Sequence, residues 1–526
     1  MQVVFVHYHL NAGGVTQVIV NQLRALAQLE ANQRPQRVGV LYGGRHEGWP
    51  PKLWEDIQSG SLVPFDEVLM PLESLDYSLL PNLYEEQLAD AVAEKLAEQG
   101  FAPDDTLLHI HNHSLGKNIS WPGAVKLLAQ RGYRLLLEIH DFAEDFRPAN
   151  YRHLAVAWGT DDPQKIAVRQ YPTGAGVHYA TLTSRDRELL SEAGVPTERL
   201  HTLPNPVAEF PELKSRDEVG AKVRRELGIP ESSRLVVYPV RGIRRKNLGE
   251  MLLHAAISPE DTWHALTLAP ENPLEQPSYQ RWQALSESLE LRCLWNTCGG
   301  GTSQFLGVLA AADEMITTSV AEGFGMVFLE APMAGKPLIG RDLPGITRDF
   351  KSYGIQFPGL YESLQIPLEL IEQRASLSEV MQIAYQWACE AYAVPTAEES
   401  KVTGTIDKVM SDNSVDFALL PSRFQEQVIR AAVNDPSGFR EQLFAANPQL
   451  ESQLSATAQT TEVIEQNASV VRERYSLDAI GRLLGETYAT VMADPPPSDI
   501  QPAPGGARIL EHFLNVDRVH AIRFEE

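Results

Sequence analysis

The sequence predicts two doubly wound α/β domains joined near residue 208, with a mainly helical extension behind them. Three observations carry that expectation. The chain has 526 residues, more than a single hydrophobic core accommodates. Short β-branched and aromatic runs alternate with amphipathic stretches, the pattern of a parallel sheet with crossover helices. The alternation restarts after the proline turn Pro204-Asn-Pro-Val207, which marks a boundary.

Taken in order, Val3 to His7 reads as a strand, Asn11-Ala-Gly-Gly-Val15 as a glycine turn and Thr16 to Leu29 as a helix. Strand runs follow at Val38 to Tyr42, Leu107 to Ile110, Leu135 to Ile139 and Ala180 to Thr183, with a helical pattern at Glu85 to Gln99. The second series has Leu235 to Val240, Ala265 to Ala269, Arg292 to Trp295, Glu314 to Thr317 and Pro337 to Ile339. The expected divisions are 1–208, 209–360, a helical continuation with a closing helix over 361–491, and a linker and tail over 492–526. Pro495-Pro-Pro497 and Pro502-Ala-Pro-Gly-Gly506 suggest the linker, and the apolar tail Ile509 to Phe524 is expected to dock on a domain or a partner chain.

Composition narrows the function classes. Against 69 acidic residues stand 45 basic ones, a net charge of −24, which opposes attraction to nucleic acid or an anionic membrane. Any anionic ligand must then meet a local basic site. Cys293, Cys298 and Cys389 cannot build a disulfide framework, and Cys293/Cys298 lacks the paired spacing of a structural zinc site. With no signal-peptide pattern and no integral membrane segment in the sequence, a cytoplasmic protein is expected. Self-association into a homo-oligomer is left open.

The motif of greatest interest is Glu322-Gly-Phe-Gly-Met-Val-Phe-Leu-Glu330, between the strand run ending Thr317 and Ala334-Gly-Lys-Pro337. Gly323 and Gly325 let backbone approach a ligand, and the amides opening the next helix are free to bond hydroxyls or phosphate oxygens. Glu330 is placed to accept two hydrogen bonds from a ribose diol. Two solvated surface glutamates are the plainer alternative. A second element, Arg241-Gly-Ile-Arg244-Arg245-Lys246-Asn247, sets four cations at a strand end, where they would stabilise a leaving diphosphate without a metal ion. Arg244 and Arg245 are expected to be solvated loop charges.

Gly13 and Gly14 form a turn that suits either a tight connection or a phosphate-facing loop. It is not G-x-G-x-x-G and no acidic ribose partner follows, which disfavours a nicotinamide dehydrogenase. His109, His111 and His113 alternate along a strand and so are expected on one face. Three histidines raise the question of a metal, but no nearby carboxylate completes a ligand set, so none is expected. His140, Asp141, Glu144, Asp145 and Arg147 belong to another strand-end loop, suited to acceptor hydroxyls or to solvent.

On the glutamate, seven residues, glutamate pattern and the strand–arginine–loop–lysine element, the sequence resembles the retaining GT-B glycosyltransferases of the "group 1" (glycosyltransferase family 4-like) family. The matching motifs span about residues 1 to 350, and Arg474-Tyr-Ser-Leu-Asp-Ala-Ile480 is similar to the family's closing helix. Where the family often shows Gly-Gly-Ile-Pro-Glu, this chain has Leu343-Pro-Gly-Ile-Thr-Arg348, so that donor contact is not carried over.

The resemblance implies two Rossmann-like domains facing a central cleft and no cofactor beyond a nucleotide diphosphate sugar as substrate. Glu322 would contact the donor hexose, Glu330 the ribose, and Arg241 with Lys246 the diphosphate. Gly13, Gly14, Phe324, Gly325, Met326 and Val327 would line the donor. His111 is the strand-end histidine that would reach the sugar, with His113 the competing choice, and His140, Asp141 and Arg147 are acceptor-side candidates. The activity implied is metal-independent hexosyl transfer with retention, through an ion-pair-like state. The absence of a basic amphipathic helix favours a soluble acceptor. A phosphorylase, a sugar-nucleotide epimerase and a non-catalytic partner subunit are the rival readings.

Overall fold

β1 (Gln2–His7) hydrogen-bonds two neighbours in parallel: β2 (Arg37–Tyr42) on one side and β4 (Thr106–His111) on the other, β3 (Asp66–Pro71) lying beyond β2. The sheet continues from β4 through β5 (Arg134–Ile139) to β7 (Val177–Thr181), against which β6 (Pro172–Ala175) runs antiparallel and β8 (Leu200–Thr202) parallel. The computed structural model describes the chain except residues 31–32, 54–56, 58–65, 79, 81–82, 211–212, 214–215, 300, 455–458 and 525–526.

These strands belong to the first of two compact units, comprising 1–208, 390–394 and 472–514. Its strands are apolar on both faces because both are covered. Val4 and Val6 join Leu108, Ile110, Trp121 and Leu137 in one core layer, while Val3 and Phe5 join Ile19, Leu23, Leu107, Leu136 and Leu484 in the other. That second layer is closed by the helices Gly14–Ala27 and Leu477–Ala493. They touch at Gly481, where a Cβ would lie 2.4 Å from the Ala25 carbonyl oxygen, so only glycine allows this approach.

The second unit comprises 209–389, 395–471 and 515–526. β9 (Arg234–Arg241), β10 (Thr262–Leu268), β11 (Cys293–Leu294), β12 (Glu314–Thr317), β13 (Leu338–Arg341) and β14 (Leu360–Tyr361) form one wholly parallel sheet, ordered β11-β10-β9-β12-β13-β14. Chain order reverses between β9 and β12, as it does between β1 and β4 in the first unit. In such sheets the crevice at the carboxyl ends of the two strands beside the reversal is the natural ligand site.

Three parts differ from the sequence expectation. Beyond residue 361 the chain is helical, but Gln365–Pro367 pairs antiparallel with Ser414–Asp416 inside the second unit. The closing helix is two helices, Thr461–Tyr475 and Leu477–Ala493, divided at Ser476, whose hydroxyl caps the second by accepting from Ala479 N at 3.3 Å. The stretch read as a linker is built into the first unit: Ser498–Pro502 is a strand against β6, and Ala507–Phe513 is a helix in the same core as Tyr171 and Leu189. Prolines are tolerated there because this is the sheet edge. The tail is divided, residues through Leu514 belonging to the first unit and those from Asn515 to the second.

Candidate active site

At the β9/β12 reversal the polypeptide brings Lys246 onto Glu322. Lys246 closes the short 3-10 turn Arg244–Lys246, and Asn247 follows with φ of 48°, a left-handed value that asparagine tolerates better than most residues. Gln425 donates to the Asn247 side chain at 3.1 Å, and Thr318 Oγ1 donates to the Lys246 carbonyl at 2.9 Å. Held in this way, Lys246 Nζ donates to Glu322 Oε1, and both side chains are buried.

Glu322 is fixed from below as well. Ser319 Oγ donates to Glu322 Oε1 at 2.6 Å, and Tyr238 OH lies 2.7 Å from that serine oxygen. Burial alone would raise the Glu322 carboxyl, but Lys246, Arg245 and the Ser319 hydroxyl outweigh it and hold the carboxyl below its ordinary value. Lys246 is shifted the other way, lowered chiefly by burial against the pull of Glu322. The result is a buried pair whose cation could exchange its carboxylate partner for a diphosphate.

The loop after Glu322 ends at Gly325, whose φ of 84° opens the helix Met326–Met333. A Cβ at Gly325 would lie 2.7 Å from Phe328, so no other residue fits without displacement. Phe324 is buried edge-on against Phe350, and Val327 is buried too; their side chains support the loop, leaving backbone amides as ligand groups. Glu330 follows on this helix, where burial pushes its carboxyl up to about 7.

Arg241 is not brought onto this pair in any contact among the described residues. Its guanidinium bonds the Ala269 carbonyl at 3.1 Å and Glu271 at 2.8 Å. The expectation of solvated charges at Arg244 and Arg245 needs correction. The Arg244 side chain is only 19% exposed with Nε 3.4 Å from Glu275 Oε2, and Arg245 stands 4.0 Å from Glu322 Oε2, adding to the positive surroundings of that carboxylate.

In the first unit Gly13 and Gly14 are exposed at the start of the helix Gly14–Ala27. Gly13 is extended, and a Cβ at Gly14 would meet nothing within 4 Å, so neither position needs glycine for local packing. The histidines do not share one face. His109 and His111 do, stacked with centroids 4.5 Å apart, but Asn112 takes φ of 57° and turns the chain. His113 therefore points elsewhere, buried with Nε2 2.7 Å from the Gln170 carbonyl, a scaffold contact.

His111 is fully buried, Nδ1 2.8 Å from His140 Nε2, while its Nε2 has no hydrogen-bond partner among the described residues. The carboxylate that the sequence reading found missing is present: β5 pairs Glu138 in register with His111, and Glu138 Oε2 lies 2.6 Å from His109 Nε2. It was concealed within the apolar run Leu135–Ile139. On the following loop Arg147 pairs with Asp141 at 2.5 Å, both partly exposed. Nearby, the Arg45 guanidinium and the Lys117 ammonium lie 5.3 and 5.0 Å from the ring centre of Tyr77, with Arg45 also bonded to Asp76.

Residues 221–357, which contain the Lys246–Glu322 pair, match the family model described as glycosyl transferases group 1. That segment of the second unit is thus similar to the group 1 glycosyltransferases. Among curated proteins, mannosylglucosyl-3-phosphoglycerate synthase of Petrotoga mobilis is 25% identical over 463 residues, 83% of each chain. Among solved structures, Anabaena HepE (Alr3699) in complex with UDP-glucose superposes with a TM-score of 0.51 at 14% identity, covering 93% of this chain and 99% of that one. The same protein with UDP and glucose gives a TM-score of 0.50 at 14% identity over 93% and 99% of the two chains. These likenesses place the chain in the GT-B fold. No helix among its described residues is long and apolar enough to cross a membrane.

Proposed function

We propose that this glycosyltransferase moves a hexosyl group from a nucleoside diphosphate sugar to a soluble, anionic acceptor, with retention and with no metal ion at the reacting centre. The observation that carries the reading is the buried Lys246–Glu322 pair at the carboxyl ends of β9 and β12. A bound diphosphate takes Lys246 as its counter-ion, and its negative charge grows as the glycosidic bond breaks, so this cation stabilises the transition state more than the ground state. Glu322, released from the lysine, accepts hydrogen bonds from the hexose hydroxyls. The amides opening the helix at Met326 face the same charge. Glu330 accepts from the ribose diol.

For the acceptor, the name of the Petrotoga mobilis relative points to a phosphoglycerate derivative, an anion. Arg45, Lys117 and Arg147 supply cations in the first unit, Arg45 and Lys117 over the exposed Tyr77 ring and Arg147 paired with Asp141. A phosphate or carboxylate competes there with Asp76 and Asp141. The test is transfer from UDP- and GDP-hexoses to phosphorylated and unphosphorylated glycerate and glucosylglycerate acceptors, with the product anomer read by NMR. An axial donor giving an axial product on an anionic acceptor supports the reading; an inverted product or phosphate-dependent cleavage contradicts it.

A further inference from the structure

Within the first unit a carboxylate and three imidazoles lie together in an otherwise apolar layer, and the proposed transfer chemistry rests on none of them, although the resemblance makes His111 and His140 candidate site residues. His109 and His111 project from one face of β4, register places Glu138 of β5 beside His111, and His140 follows the end of β5. His109 Nε2 is 2.6 Å from Glu138 Oε2, and His111 Nδ1 is 2.8 Å from His140 Nε2. His140 Nε2 is 3.4 Å from Glu138 Oε1, and His111 Nδ1 is 3.7 Å from Glu138 Oε2. The ligand atoms of His109, His111 and Glu138 all lie within 4.8 Å of one another.

We propose that these four side chains bind one zinc-class divalent ion, through His109 Nε2, His111 Nδ1, His140 Nε2 and Glu138, as a tie between β4 and β5. Charge is the first argument. Glu138 is fully buried, and the groups bonded to it are imidazoles and the Gln22 amide, with no lysine or arginine among its described contacts. A carboxylate in such a layer calls for a cation.

Ligand chemistry is the second. Imidazole with carboxylate suits zinc, and bonds of roughly 2.0–2.1 Å in a tetrahedron put ligand atoms about 3.3 Å apart, within the span seen here. The supporting contacts of a metal site are also in place. His109 Nδ1 lies 2.8 Å from Tyr488 OH, which fixes the ring with Nε2 toward the cluster, and Gln22 Nε2 donates to both Glu138 oxygens at 3.2 and 2.9 Å. Zinc here is structural, so the site stands or falls separately from the donor chemistry.

The test is elemental analysis of the full-length protein purified from zinc-supplemented medium, with a parallel preparation from cobalt-supplemented medium for visible absorption. Expected are about one zinc per chain and the visible bands of a tetrahedral cobalt site. Glu138→Ala and His109→Gln lose both, while Lys246→Ala keeps both; circular dichroism identifies any variant that has failed to fold, and His109→Gln is the milder of the two. Sub-stoichiometric zinc and no cobalt bands in the wild type overturn the proposal, leaving a closed hydrogen-bonded network. Full zinc in folded His109→Gln, or its loss in Lys246→Ala, overturns the assignment equally.

Discussion

Ser319 Oγ donates to Glu322 Oε1 at 2.6 Å, on the same carboxylate oxygen that Lys246 holds. A hydroxyl two residues beyond the end of β12 thus sets the direction in which the second oxygen of Glu322 points. Removing it leaves the ion pair but frees the carboxylate to rotate. Ser319→Ala is expected to cost about 2 kcal/mol of stability, the usual worth of one hydrogen bond to a charged group. It lowers kcat/KM about 3–10-fold. Steady-state kinetics with a thermal melt check both, and an unchanged kcat/KM removes Ser319 from the site.

The pair itself separates stability from function. Lys246→Ala strands a buried carboxylate whose remaining ion-pair partner among the described residues is Arg245, 4.0 Å away. The expected cost is about 3–5 kcal/mol, together with loss of turnover. Replacing both partners, Lys246→Met with Glu322→Leu, recovers much of that stability because no charge is left unpaired. Turnover stays absent. Recovery of activity in the double variant contradicts a catalytic role for the pair.

Glu330 gives a pH dependence with a definite sign. Its carboxyl is raised from 4.5 to about 7 by burial, so the ligand-free folded state binds the proton more tightly than the unfolded chain. That contribution to stability is present below pH 4.5 and is lost as pH rises to about 7. After discounting for its partial exposure it amounts to about 1–2 kcal/mol. Donor binding has the opposite sign, since the ionised carboxylate accepts the ribose diol: donor KM falls as pH rises through about 7. Glu330→Gln flattens both profiles and raises KM; a slope that persists in this variant belongs to another group.

How much of this was legible in sequence depends on the range of the contacts involved. Glu322, Gly325 and Lys246 stand on strand ends that β-branched runs and glycines announce locally, and their elements fall where the periodicity puts them. The histidines did not read correctly, because alternation assumes an unbroken strand and Asn112 breaks it with a left-handed backbone. Glu138 was hidden because one charged residue in Leu135–Ile139 looks like the solvent side of a strand, and only its register with His111 shows otherwise. The strand Ser498–Pro502 was missed for a similar reason. Its partner is more than 300 residues away, and its prolines carry the composition of a linker.

Asp494 ties the end of the closing helix to the first unit and makes it sensitive to acid. It accepts from Gly176 N at 2.7 Å and Arg199 Nε at 2.9 Å, with His178 Nε2 at 3.2 Å. Burial would raise its carboxyl, but these partners outweigh it and bring it down to about 2 from 3.8. Its contribution is therefore complete above pH 3.8 and is lost as pH falls through about 2. With solvent screening it is at most about 2 kcal/mol. Asp494→Asn lowers the melting temperature at pH 7 and brings the wild-type and variant melts together near pH 2, with no change in kcat at pH 7. Differential scanning calorimetry across that range checks the convergence.

The most direct measurement of the central claim is calorimetric titration of the wild type and of Lys246→Ala with UDP, GDP and their hexose derivatives, with and without a chelator added just before the run. The account predicts selective binding of one diphosphate by the wild type, unchanged by the chelator and weakened at least about 30-fold in Lys246→Ala, the loss expected when a charged hydrogen bond of roughly 2 kcal/mol is removed. Equal affinity in the folded variant, or binding that vanishes with the chelator, would contradict a donor site built on this lysine in place of a metal ion.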